Sequence, residues 1–252
     1  MVRFTMKLAD LPIGVTVLYP QTAEKYRSYF SEEPPIFSVM NTTDVIAHER
    51  DLVRRLTAVD ARTFGHLNAE EVLDDQATYH QVAECLPEFD AMLIHGSAVA
   101  LDGQAYLFMA PSGTGKSTHT RLWREHFGSR AVMINDDKPM LRFREDGVWV
   151  CGTPWQGKHN LGNNIAVPLR AACVLTRSAE NHIEPLSPAE AFPALLRQSY
   201  RFAQPLHAEQ MLRLNERLMT SVPLFRLGCN MSPDAARICY EGMQKYLRRD
   251  VP

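Results

Sequence analysis

The stretch Tyr106–Arg124, YLFMAPSGTGKSTHTRLWR, constrains the fold more than any other part of the chain. Tyr106–Ala110 is an apolar run of the length of a buried strand. The chain then breaks at Pro111-Ser112-Gly113-Thr114-Gly115, and Lys116-Ser117-Thr118 opens a segment of helical character. Strand, glycine-rich turn, Lys-Ser and helix together make a phosphate-binding loop, in which successive backbone N–H groups and a helix N-terminus surround a polyphosphate. Ser112, Gly113, Thr114, Gly115 and Thr118 would form the cradle, Lys116 would add a point charge, and the Ser117 hydroxyl would reach Mg²⁺. Ala110 replaces the first glycine of the usual G-x-x-x-x-G-K-[ST] pattern, while the turn-forming Gly113 and Gly115 are present.

A loop of this kind needs a sheet behind it, and the chain is long enough to supply one. With 252 residues, 45% hydrophobic and 22% charged, a sizeable core is expected, as one large domain or a core with a smaller unit attached. The formal net charge is −2 with both signs interspersed, which argues against a nucleic-acid partner. Five scattered cysteines without a C-x-x-C read as reduced thiols, neither a disulfide framework nor a zinc site. No signal peptide and no membrane-length apolar run are visible, so a soluble cytoplasmic protein is expected.

Residues 1–89 read as a small N-terminal α+β portion without recognisable chemistry. Val2–Leu8, Val15–Tyr19 and Ile36–Met40 are strand-like, Thr22–Phe30 suggests a short helix capped by Thr22, and Asp44–Leu56 could be strand, helix or both. Asn68–Leu86, with Asn68 as cap, is a clearer amphipathic helix. From residue 90 onward the pattern predicts a strand at Ala91–Ile94, an extended Ala98–Leu101 and an Asp102-Gly103 hairpin turn into the Tyr106 strand. Further strands are expected at Ala131–Ile134, Leu141–Phe143, Val148–Val150, Ala171–Thr176 and Val222–Cys229. Helices are expected at Ser187 or Pro188 to Tyr200, at Ala208–Ser221 and at Asp234–Arg248, giving a helical C-terminal portion.

Three further groups suit phosphoryl chemistry. Asp136-Asp137 ends the Ala131 strand, where a carboxylate is expected to hold Mg²⁺ together with Ser117 while its neighbour accepts a proton from an attacking hydroxyl. His95, in His95-Gly96-Ser97, is brought beside the loop if the Asp102-Gly103 hairpin forms. Lys158 in Thr153–Lys158, near Trp155, could neutralise transferring charge. Lys138, His159, Asn160 and Asn163 are weaker candidates, and Arg121, Arg124 and Arg177 are surface or base-contacting.

HGSAVALDG, APSGTGKST, INDDKP and GTPWQGK, in this order and over roughly Asp90–Arg177, resemble the kinase core of the HPr kinase/phosphorylase family, which shares a fold group with ATP-dependent phosphoenolpyruvate carboxykinase. Residues 1–89 do not resemble that family's regulatory domain. The resemblance implies an α/β protein with a P-loop-containing core of the phosphoenolpyruvate carboxykinase/HPr-kinase type, a mixed sheet, and the loop at its edge. It implies ATP and Mg²⁺ as nucleotide and metal and His95, Lys116, Ser117, Asp136 and Asp137 as site residues. Asp137 is then the base and Asp136 the metal contact, or the reverse. The implied activity is transfer of the γ-phosphoryl group to a hydroxyl acceptor, protein serine or small molecule, by a protein that could be a homo-oligomer. A nucleotide-binding regulator without turnover and a carboxykinase-like lyase are the alternatives.

Overall fold

A computed structural model of the chain describes residues 1–59, 69–157, 159–200 and 205–247. They divide into two compact units, Met1–Cys85 and Leu86–Pro252. No helix among the described residues is long and apolar enough to cross a membrane.

In the first unit, β1 (Val2–Leu8) and β2 (Leu11–Val17) form an antiparallel hairpin, extended by β3 (Phe30–Ser31) beside β1 and by β4 (Phe37–Met40) parallel to β2. Among the described residues, the helices α1 (Pro20–Lys25), α2 (Thr43–Val59) and α3 (Glu70–Cys85) accompany the sheet. The helix expected from Thr22 starts earlier and stops sooner. Pro20 fits the first helical turn, where its missing N–H costs nothing, and the chain leaves the helix for a single 3₁₀ turn at Arg27–Tyr29. The Thr22 hydroxyl caps nothing; it donates to the Glu71 carbonyl at 3.4 Å. The undecided segment 44–56 is helix α2 throughout. Asp74, fully buried on α3, accepts from the Leu18 and Tyr19 N–H groups at 3.1 Å each and from Asn41 Nδ2 at 2.7 Å. A buried carboxylate so paired locks the chain after β2 to the helix. Asn68 lies outside the described residues.

The second unit is built on a nine-stranded mixed sheet. Its strands are β5 (Ala91–Leu93), β6 (Ser97–Leu101), β7 (Gln104–Met109), β8 (Ala131–Asn135), β9 (Met140–Arg144), β10 (Gly147–Cys151), β11 (Ala166–Arg177), β12 (His182–Pro185) and β13 (Leu224–Cys229). The main path runs β5-β9-β10-β11-β7-β6-β8, with β13 also on β11 and β12 on β13. Helices α4 (Lys116–Phe127), α5 (Pro188–Gln198), α6 (Pro205–Ser221) and α7 (Ala235–Leu247) complete the unit.

Both faces of the central strands are buried, as period-two alternation along β7 shows. Leu107 and Met109 enter one apolar cluster with Leu195, Leu214 and Leu218 of α5 and α6; Tyr106 and Phe108 enter another with Trp123 of α4 and Met243 of α7. The C-terminal portion carries the expected helices and strand, and β13 lies parallel to β11 within the sheet. The strand expected at Ala171–Thr176 is also longer, twelve residues, because it serves different partners along its length. Ala166–Pro168 pair with β10, Leu169–Val174 with β7 and Ala172–Arg177 with β13, with a register shift between Leu169 and Ala171. The glycine-rich loop follows β7, an interior strand, not a sheet edge.

The strand directions gather the candidate residues. β6 lies between β7 and β8 and runs antiparallel to both. The start of β6 and the ends of β7 and β8 therefore share one end of the sheet, with Ser97 opposite Phe108 and Ala98 opposite Asn135. The expected Asp102-Gly103 turn makes this possible: both residues adopt positive φ, 51° and 77°, as a two-residue hairpin turn requires.

Candidate functional site

At this end of the sheet a cleft of about 560 Å³ is lined by His95, Lys116, Ser117, Asp136, Asp137 and the glycine turn between β7 and α4. Gly113 and Gly115 have φ of 75° and 124°, values that L side chains rarely adopt, although neither has a heavy atom within 4 Å of where a Cβ would stand. The loop thus needs these glycines for their backbone angles rather than for space. Ala110 in place of glycine is tolerated because it is a buried core residue packed with Phe108 and Trp123. Gly115 caps α4 without a side-chain hydrogen bond, so the first-turn N–H groups have no side chain competing for them.

Lys116 folds across the loop, its Nζ donating to the Ala110 carbonyl at 2.8 Å. Burial pushes its pKa down to about 8, against the pull of the Asp137 carboxylate. Behind the loop, the buried Ser97 and Thr120 hydroxyls are 2.9 Å apart and tie β6 to α4.

The second wall is the turn after β8. Asp136 is buried, and its Oδ1 accepts the Gly157 N–H at 2.7 Å. Asp137 is partly exposed, with Oδ1 at 3.4 Å from His95 Nε2 and 3.7 Å from Lys138 Nζ. The Gly96 N–H donates to the Asp137 carbonyl at 3.0 Å, and the His95 N–H to the Gln198 carbonyl at 2.8 Å. Burial, then the charges of Lys138 and Lys116, push the His95 pKa down to about 4, with Asp137 and the Gln198 amide opposing. At neutral pH His95 therefore stands beside Asp137 as an uncharged imidazole rather than as a cation.

Asn135, not singled out from sequence, holds this wall together. Its Oδ1 accepts the N–H groups of Asp137 and Lys138, both at 2.8 Å. Its Nδ2 donates to the Thr153 carbonyl and hydroxyl at 3.1 Å and to the Trp155 carbonyl at 3.3 Å. The Thr153 hydroxyl donates in turn to the Lys138 carbonyl at 2.7 Å. The only sequence hint was a short amide side chain at the start of a turn, where its oxygen can accept the N–H two residues on. Gly157 was also passed over; a Cβ there would stand 2.8 Å from Asp136 Oδ2.

The remaining candidates divide. Ser112, Gly113, Thr118 and His159 line the cleft. Thr114 lies on the far side of the glycine turn, where a second cavity opens. Trp155 is buried and contributes its carbonyl to Asn135. Asn163 braces β8 through the Met133 carbonyl at 2.8 Å, and Asn160 occupies a turn at φ 50°. Arg121 pairs with Glu125 on the exposed face of α4, and neither Arg121 nor Arg124 lines the cleft. Arg177 Nη2 donates to the Gly113 carbonyl at 2.6 Å, so it reaches the loop from the end of β11. Lys158 lies outside the described residues.

Among the described residues no group of three or more His, Cys, Asp or Glu could hold a metal ion. What the cleft offers instead, the Ser117 hydroxyl and two carboxylates beside a glycine-rich loop, suits Mg²⁺, which keeps several waters and is held through one or two carboxylates and substrate phosphates.

No curated protein matches this chain. Among solved structures, the HPr(Ser) kinase/phosphatase from Coxiella burnetii aligns with a TM-score of 0.38 and 8% sequence identity, over 63% of this chain and 92% of that one. Residues 67–235, more than half of the sequence, match the family described as SynChlorMet cassette protein ScmC, and the chain belongs to that family.

Proposed function

We propose that this protein is an ATP-dependent, Mg²⁺-requiring phosphotransferase acting on a hydroxyl acceptor of serine type. The observation that carries the reading is the convergence of Lys116, Ser117, Asp136, Asp137 and His95 on one cleft, although they come from three separate stretches of the chain. Lys116 and the loop amides bind the β- and γ-phosphates, for which Lys116 leaves its resting bond to the Ala110 carbonyl. Ser117 and the fixed, buried Asp136 hold the metal. Mg²⁺ held there would supply positive charge to offset that of the phosphates. Asp137, more accessible and oriented by His95, takes the proton of the acceptor hydroxyl. The acceptor oxygen bonds to the γ-phosphorus as the bond from that phosphorus to the bridging β–γ oxygen breaks, and ADP leaves. Lys158, next to Gly157 in the chain, is the cation proposed to meet charge on the transferring group.

Incubation with γ-labelled ATP, Mg²⁺ and an acceptor panel of HPr, free serine and serine-containing peptides tests this. Label on an acceptor, or slow Mg²⁺-dependent hydrolysis without one, is expected. ATP binding with neither would identify a non-catalytic nucleotide binder.

A further inference from the structure

β7 and β11 run parallel, and the last residues paired between them are Met109 and Val174. Beyond that pair β7 gives way to the glycine turn, whereas β11 continues through Leu175, Thr176 and Arg177. These three pair with Leu227, Gly228 and Cys229 of β13, so the overhang is braced. Gly228 is paired in turn with His182 of β12, whose ring occupies the space a Cβ would need. Along β11, Ala171, Cys173 and Leu175 enter the apolar cluster that holds Trp123 of α4, and Arg177 is next in that row. Period two thus delivers its guanidinium to the side on which the loop turns into α4. There Nη2 donates to the Gly113 carbonyl at 2.6 Å. The turn itself is weakly held. Pro111, Ser112 and Gly113 are exposed, and among the described residues no heavy atom lies within 4 Å of where a Gly113 Cβ would stand. Its internal bond, from the Thr114 N–H to the Pro111 carbonyl, is long at 3.3 Å. A glycine in open space changes its peptide orientation at little cost, and a carbonyl turned inward would oppose an anion.

We infer that Arg177 is a positioning residue for the loop: carried on the braced end of β11, it holds the Gly113 carbonyl outward, so that the loop amides are arranged for phosphate before any arrives. This deepens the proposed function and rests on it. Arg177 lines the second cavity, of about 470 Å³, and not the cleft with Lys116 and the aspartates, so it stands behind the loop and off the phosphates. The bond from its guanidinium is charge-assisted and therefore of the stronger class. Ordering an exposed glycine turn costs conformational entropy, and with Arg177 in place the fold bears that cost instead of the ligand.

The test measures binding of inorganic tripolyphosphate, with Mg²⁺, to the full chain and to Arg177→Gln, an exposed position at which the core is left intact. The variant is expected to bind roughly tenfold more weakly. A second readout follows the mechanism and needs no ligand. In the free protein the heteronuclear ¹⁵N NOEs of the Gly113, Thr114 and Gly115 amides should fall in Arg177→Gln, and saturating tripolyphosphate should restore them. Weaker binding with unchanged NOEs would make Arg177 a direct phosphate contact and overturn the positioning role. Unchanged affinity overturns it too, and leaves the phosphate site standing. Failure of the wild type to bind either tripolyphosphate or ATP overturns the phosphotransferase reading, and this inference with it.

Discussion

The Gly157 N–H donates to Asp136 Oδ1 at 2.7 Å, and a Cβ on Gly157 would stand 2.8 Å from Asp136 Oδ2 and 3.0 Å from its Cγ. Backbone and carboxylate are thus in contact with no room for a methyl group. Gly157→Ala should push Asp136 out of place, lowering the apparent affinity for Mg²⁺ by roughly tenfold, or about 1.4 kcal/mol. A Mg²⁺ titration of ATP turnover reads this. An unchanged midpoint would remove Asp136 from the metal site.

Asp137→Asn separates a kinase from a binder. The amide cannot take up a proton at neutral pH, so phosphoryl transfer should fall by roughly 10²–10⁴-fold while ATP affinity is kept. Equal losses of binding and turnover would point to a binding role for Asp137.

Asn135→Ala strands the Asp137 and Lys138 N–H groups and frees the turn at Thr153. The expected cost is on the order of 2–4 kcal/mol, seen as a melting temperature lowered by roughly 5 °C or more. Turnover should fall as well, since both aspartates follow Asn135 directly.

Lys116 makes polyphosphate binding depend on pH. Bound phosphate favours the charged amine, whereas the free protein begins to lose that charge near pH 8. Tripolyphosphate affinity should therefore fall as pH rises above about 8, by up to about tenfold per unit, and binding there should take up a proton. Isothermal calorimetry in two buffers of different ionisation heat measures the uptake. Lys116→Met should abolish it.

His95 and His119 both have folded-state pKa values near 4, below the ordinary 6.5. Between these values the unfolded chain binds more protons than the native one. Stability is thus fully present above about pH 6.5 and lost as pH falls toward 4, by about 1.4 kcal/mol per pH unit for each histidine. Chemical denaturation of His119→Phe across this window should show a shallower slope than the wild type.

Local chemistry was legible along the chain because it depends on neighbours in sequence. Asp102-Gly103 could only be a tight turn, and it is one. Gly113 and Gly115 marked positive φ, and Tyr106–Ala110 marked a buried strand, which spans Gln104–Met109. The polar strand His182–Pro185 was missed, since its ladder among the described residues is to β13, forty or more residues further on. The segment 44–56 was ambiguous for the same reason: its apolar residues Ile46 and Val53 acquire a helical face only against Leu73 and Ala77 of α3.

The sequence by itself determined that a glycine-rich turn with Lys116-Ser117 follows a buried strand, and that an aspartate pair and a histidine flank it in the chain. Each of these rests on backbone angles or short-range spacing. Only the tertiary structure decided that β6 runs antiparallel between β7 and β8, which brings His95, Lys116 and Asp137 to one cleft. It also decided that Asn135 and Gly157 set the aspartates. Those properties depend on which groups are opposed across space. A turn at residues 153–157 can shape the end of a strand at 135 only after the sheet has formed.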